Sequence, residues 1–154
     1  MNLLSRALLS GLTAGTLSMW TLVYRGRCEG HRAATTLSAP SHWLYGERAL
    51  VQTEPSWRYT GAGALIHEAS AVMWALLFER LVSRRNRTPS VTTLAASAAV
   101  VTGVAAVVDL KLVPERLTPG FEHHLSTRSL VWVYASVAAG MVLSAWLTRS
   151  RPAH

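Results

Sequence analysis

Residues 91–108 read VTTLAASAAVVTGVAAVV, a run without a charged side chain that Asp109 closes. At a rise of about 1.5 Å per helical residue the run is about 27 Å long, close to a hydrocarbon core about 30 Å thick. Backbone groups in lipid must be satisfied within their own segment, so the run predicts an α-helix. No alternation of period two points to a barrel strand. Working outward, three further stretches have the same character: Ala7 to Tyr24, Gly61 to Val82 and Leu130 to Leu147. Only the second of these is interrupted, by His67-Glu68 near one end and Glu79-Arg80 near the other. The predicted fold is all-α: an integral membrane four-helix transmembrane bundle forming one domain over residues 1–154. Its helices run over roughly 6–25, 61–82, 91–110 and 128–148, with outer loops 26–60 and 111–127.

The composition agrees with this class. Of 154 residues 50% are hydrophobic and 15% charged, against about 25% charged in an ordinary soluble domain. The formal charge of +7 is carried by 14 Arg and one Lys, in a chain too apolar for a disordered basic arm, so no nucleic-acid partner is expected. Cys28 stands alone, which excludes an internal disulfide, a thiol redox pair and an all-cysteine metal site. The first span resembles a signal peptide only superficially. It ends in Tyr24-Arg25-Gly26-Arg27-Cys28 with no small-x-small cleavage pattern, and is read as an uncleaved helix.

Four spans place both termini and the second connection on one side. That side holds Arg6, Arg80, Arg84, Arg85, Arg87, Arg149 and Arg151 in short segments, with Glu79 as its one acidic residue. The opposite side holds eight basic and seven acidic residues spread over two longer loops. The positive-inside tendency therefore predicts cytoplasmic termini in a bacterial inner membrane, with the Arg84-Arg85-Asn86-Arg87 run as a topology anchor. The preference for Arg over Lys and the abundance of Ala fit a GC-rich bacterial source.

Small residues let helices approach in lipid, where apolar contact alone gains little. Gly11 and Gly15 in helix one, Ala95, Ala99 and Gly103 in helix three, and Ser136, Gly140 and Ser144 in helix four recur at a spacing of four. Each set predicts a packing stripe. Trp20, Tyr24, Trp57, Tyr59, Trp132 and Tyr134 gather near the outer boundary and Trp146 marks the other, as an aromatic belt would. Trp74, in mid-span, is expected inside the bundle.

In the first outer loop, residues 38–50 read SAPSHWLYGERAL. Ser38 or Ser41 can cap a helix and Pro40 suits a first turn, so a short interfacial helix is predicted, with Trp43, Leu44 and Leu50 on the bilayer and Glu47 and Arg48 toward water. In the second outer loop Pro119-Gly120 marks a turn and Phe121 offers an apolar plug for the bundle.

Ser41-His42-Trp43 through Gly46, Ile66-His67 with Trp74 and Glu79, and Asp109 through Pro114-Glu115-Arg116-Leu117-Thr118-Pro119-Gly120-Phe121-Glu122 resemble a group of small four-helix bacterial inner-membrane proteins with no assigned activity. The likeness covers most of the chain from Ser38 to Gly140. It implies the four-helix architecture and no functional residue. Such sequences often carry a second histidine where this chain has Glu68, so the resemblance implies no shared role for Glu68.

Ionisable groups inside or beside a span are costly and mark candidate sites. His42, His67, Glu68, Asp109, Arg116, Glu122 and His123 fall at the outer end of the predicted bundle. Imidazole and carboxylate suit zinc, iron or manganese, so His67, Asp109, Glu122 and His123 are candidate metal ligands. Against this, the chain has no His-Glu-x-x-His and no repeated Glu-x-x-His, Asp109 and Glu122 have Arg58 and Arg116 as prospective ion-pair partners, and His67 a carbonyl. Glu68 and Glu79 lie eleven residues apart, hence on one helix face about 16 Å apart, which suits either a proton path or two boundary residues reaching water or arginine.

Known enzyme patterns do not fit. No Gly-x-Ser-x-Gly occurs, Gly61-Ala62-Gly63 lacks the rest of a phosphate loop, and only His67 lies clearly within a span, where a haem bundle uses paired histidines. The expected role is a scaffold or accessory membrane subunit with no predicted cofactor, whose partners are the lipid bilayer and a membrane protein or a second copy of the chain. A metal- or haem-binding protein and a small proton-coupled transporter are the alternatives.

Overall fold

In a computed structural model of the chain, residues 1–85 and 89–149 are described. Arg87 and Arg151, expected among the cytoplasmic arginines, lie outside them. The described residues form six α-helices and no strand. Four, two of them taken with a π-helical turn at one end, are long and apolar enough to cross a membrane: α1 (Leu3–Cys28), α4 (Ala62–Arg85), α5 (Val91–Val107) and α6 (Thr127–Arg149). Two short ones, α2 (Ala33–Ser38) and α3 (His42–Tyr45), lie in the first long loop. Two π-helical turns lengthen the spans, Trp57–Gly61 before α4 and Val108–Leu112 after α5. Asp109 thus sits within a continuing helix, where the sequence predicted its end.

The long helices form a ring in which α1 packs along both α4 and α6, and α5 closes it more closely on α6 than on α4. Close approach explains this order. A Cβ at Gly140 would stand 2.5 Å from the Ala14 Cα, and one at Gly11 would collide with the Val72 backbone. Gly15 leaves room for the Glu68 side chain, while Ser144 reaches Ser10 at 3.4 Å. Ser136, half-buried, bonds back to the Val133 carbonyl of its own helix at 2.7 Å.

Helix three departs from expectation. Ala95, Ala99 and Gly103 are exposed, with nothing within 4 Å of a Cβ at Gly103. The buried stripe of α5 is instead Leu94, Ser97, Ala98, Val101, Thr102 and Ala105. Both faces of this helix are apolar and rich in small residues, so periodicity could not tell the packed face from the outward one.

At the end bearing the chain termini, Glu79 is fully buried and binds α1, α4 and α6 together. It accepts from Arg149 Nη2 at 2.6 Å and Ser10 Oγ at 2.7 Å, with Arg6 Nε at 3.8 Å. Of the two partners expected for it as a boundary residue, water or arginine, Glu79 has arginine. Glu68 faces α1 as well, accepting from Thr16 Oγ1 at 3.2 Å. The tight Gly11–Val72 approach lies between the two carboxylates.

The other end is closed by the loops. Residues 33–49 form a string of short helical turns that tucks into the bundle, burying Thr36, Ser38, Ala39, Pro40, Ser41 and His42. Trp43 donates to the Thr118 carbonyl at 2.7 Å and Leu50 packs against the buried cluster of Leu22, Ala39 and Phe121, so neither lies outward as predicted; Leu44 does. Gly120, at φ +83°, turns the last loop so that Phe121 plugs a cluster with Leu22, Ala39, Leu125 and Val133.

Candidate functional site

The weakest seam of the ring, α4 against α5, opens into a crevice of about 470 Å³ at the loop end. Its size is that of a small-molecule site. Met73 and Leu77 on its rim are about half exposed, so it opens sideways, away from the bundle axis. The wall is apolar and aromatic, with Trp43, Trp74, Phe121 and Tyr134, and its polar groups are few: His67, Ser70 and Asp109 among them.

Each polar group has a distinct setting. The Tyr134 hydroxyl of α6 donates to Asp109 Oδ2, in the π-helical turn after α5, at 3.2 Å. The Trp74 indole nitrogen is buried without a hydrogen-bond partner, though it lies close to the same carboxylate. His67 Nε2 stands 2.8 Å from Ser18 Oγ, whose hydroxyl donates to the Gly15 carbonyl at 3.0 Å. That pair has the spacing of a nucleophile and its base. Ser18, however, is fully buried and does not line the crevice, so no substrate carbonyl can reach it.

The predicted cluster is therefore divided. His67 and Asp109 share the crevice, and Glu122 lies near enough for its charge to act on Asp109 and Tyr134. Both Glu122 oxygens are buried and without hydrogen bonds, with His123 Nε2 at 3.8 Å. The expected arginine partners are elsewhere: Arg58 lies over the Tyr45 ring at 4.9 Å and the Tyr59 ring at 5.5 Å. Arg116 lines a second, more open cavity of about 560 Å³ with His42, Glu47, Glu115 and His123. His42 ties the two loops together, its Nδ1 2.8 Å from the Ala39 carbonyl and its Nε2 3.4 Å from that of Glu115. Glu68 points away from the crevice toward α1, with Oε2 buried and unpartnered. Among the described residues no three His, Cys, Asp or Glu side chains come together as a metal site, so His67, Asp109, Glu122 and His123 do not converge.

Sequence reasoning passed over several residues. Tyr134, expected in the aromatic belt, lines the crevice; Trp74 is packed inside the bundle as expected and lines it too. Glu29, at the end of α1, accepts from the Ser126 backbone N–H at 2.8 Å and its hydroxyl at 2.7 Å, and from Ser129 Oγ, holding the start of α6. The hydrogen bonds from Ser129 and Ser126 hold its carboxyl down to about 2. Ser126 and Ser129 before an apolar run were the available signal. His124 stacks against His31 at 5.2 Å. Burial first, then the charges of His31 and His123, keep its ring below the ordinary histidine range. No protein-family model, curated protein or solved structure matches the chain.

Proposed function

We propose that the chain is a multi-pass integral protein of a bacterial inner membrane, with both termini in the cytoplasm, that serves as an accessory subunit holding an amphiphilic molecule. The observation that carries this reading is the sideways-opening crevice. Inserted through its four apolar helices, the bundle would present the α4/α5 seam to the hydrocarbon, so a guest would enter from lipid. Outward-facing Trp20, Tyr24, Trp57 and Trp132 support that placement as a belt at the loop end, with Leu44 of the cap reaching the same layer. The resemblance to small four-helix inner-membrane proteins accords with it. Binding is favoured over catalysis because Ser18, the hydroxyl beside His67, is buried and does not line the crevice. A proton path from Glu68 to Glu79 is disfavoured by the closest approach of α1 and α4 between them. The scattered ligand set disfavours a metal centre.

Photolabelling with a lipophilic aryl diazirine in native vesicles tests the reading. Label on the crevice residues Ala71, Trp74 and Val137 supports it; label confined to outward positions such as Leu8, Leu12 and Val100 overturns it. Orientation is read from the exposed Cys28, which an impermeant maleimide should modify from the periplasm. In a Cys28→Ser background, Ser83→Cys should react only after permeabilisation.

A further inference from the structure

We infer that the occupant of the α4/α5 crevice is an organic cation carried on an apolar body, an ammonium or phosphonium amphiphile. The inference rests on the crevice being a lipid-facing binding site, as proposed above. Among the described residues Asp109 is the one carboxylate lining it. The Tyr134 hydroxyl donates to this carboxylate and the Trp74 N–H lies beside it. What the site lacks is a countercharge. Among the described residues no Lys or Arg comes within 4.0 Å of Asp109 or Glu122, and His123 reaches only Glu122, at 3.8 Å. Glu122 adds a second negative charge nearby, its two oxygens buried and unpartnered.

A negative charge facing hydrocarbon is costly until a cation meets it. A bare metal ion would need several converging oxygen ligands, and the walls offer mostly carbon. Aromatic faces are what an organic cation requires, since the ring quadrupole attracts positive charge without a hydrogen bond. Trp74, 8% exposed, supplies aromatic surface on the wall that Asp109 also lines, as do Trp43, Phe121 and Tyr134. An apolar body would fill the remaining volume toward Met73 and Leu77 and leave by the same opening.

The test uses the purified full chain in maltoside detergent and two ions of one shape and opposite charge, tetraphenylphosphonium and tetraphenylborate. Saturable binding of tetraphenylphosphonium at one per chain, without competition by tetraphenylborate, is expected. Asp109→Asn should weaken it at least about tenfold, the loss associated with one buried charge pair. The two-ion comparison on the unaltered chain stands even where Asp109→Asn does not fold. Equal binding of both ions, or unchanged affinity in monodisperse Asp109→Asn protein, overturns the cation inference and leaves the crevice as an apolar site. Binding of neither ion overturns it as well, and the diazirine labelling then decides separately whether the crevice is open to lipid. Nanodiscs of phosphatidylglycerol with and without phosphatidylethanolamine distinguish two sources of the cation. Affinity for tetraphenylphosphonium lowered by the ethanolamine lipid assigns a lipid ammonium headgroup, and unaltered affinity assigns a free lipophilic cation; both support the inference.

Discussion

Glu79 offers the sharpest test of how the bundle is held. Its carboxylate has no exposed surface and joins three helices through Ser10, Arg149 and Arg6. Glu79→Gln preserves the volume and an oxygen for Ser10, but removes the charge and sets an amide against the Arg149 guanidinium. Breaking a buried ion pair from one side costs about 3–5 kcal/mol. The Arg149 side chain is 13% exposed in the last turn of α6, so it can extend toward headgroups and recover part of that loss. The expected cost is therefore about 2–3 kcal/mol, a change of about 30- to 150-fold in the folding equilibrium. Against a total of about 5–15 kcal/mol this is a large fraction. The assay is reversible unfolding in mixed dodecylmaltoside and dodecylsulfate micelles, run as a cycle with Arg149→Gln and the double variant. A coupling of about 1–2 kcal/mol between the two positions is expected. A cost below about 0.5 kcal/mol for Glu79→Gln, or strict additivity in the cycle, refutes the clamp.

Gly140→Val should destabilise by about 1–3 kcal/mol, because its Cβ has the Ala14 backbone 2.5 Å away. Gly103→Ala, with open space around it, should be neutral or gain up to about 1 kcal/mol in the same unfolding assay. The loop end should respond to acid in two stages, read from unfolding midpoints between pH 8 and pH 2. His124 is held below its ordinary 6.5, so stability falls as pH drops through 6.5 and below, and His124→Phe removes that stage. Glu29, held at about 2 against an ordinary 4.5, contributes fully above 4.5 and loses its contribution as pH falls through about 2; Glu29→Gln lowers the midpoint at neutral pH and flattens this stage. Trp43→Phe leaves the Thr118 carbonyl without its donor, and amide exchange over residues 39–49 should quicken about fivefold, for a loss of about 1 kcal/mol.

How much of this was legible beforehand follows from where the information resides. The Gly11, Gly15 and Gly140 contacts could be read as small residues at a spacing of four, since steric room is a property of residue type. The same spacing misled at Gly103, because a helix apolar all round carries no sign of its inner face. His67 and Asp109 were both suspected as ionisable groups at span ends, and they share the crevice. Their expected companions did not follow: Glu68 turned to α1, Arg58 to two tyrosines and His42 to backbone carbonyls. A one-residue step along a helix turns a side chain by about 100°, which is why Glu68 turns from the crevice that adjacent His67 lines, although both reach α1.

By itself the sequence determined four apolar helices of membrane length, because charge-free runs and the demands of backbone hydrogen bonding are local properties. It also marked which groups are too costly to be there without purpose. Tertiary structure alone decided that α1 takes the centre of the packing, that the first loop folds inward as a cap, and that α4 and α5 part to expose Asp109, Tyr134 and Trp74 to one crevice. Those outcomes depend on which face of each helix meets which neighbour. Between uniformly apolar helices that choice is made by the fit of side chains across the interface, and no single segment carries it.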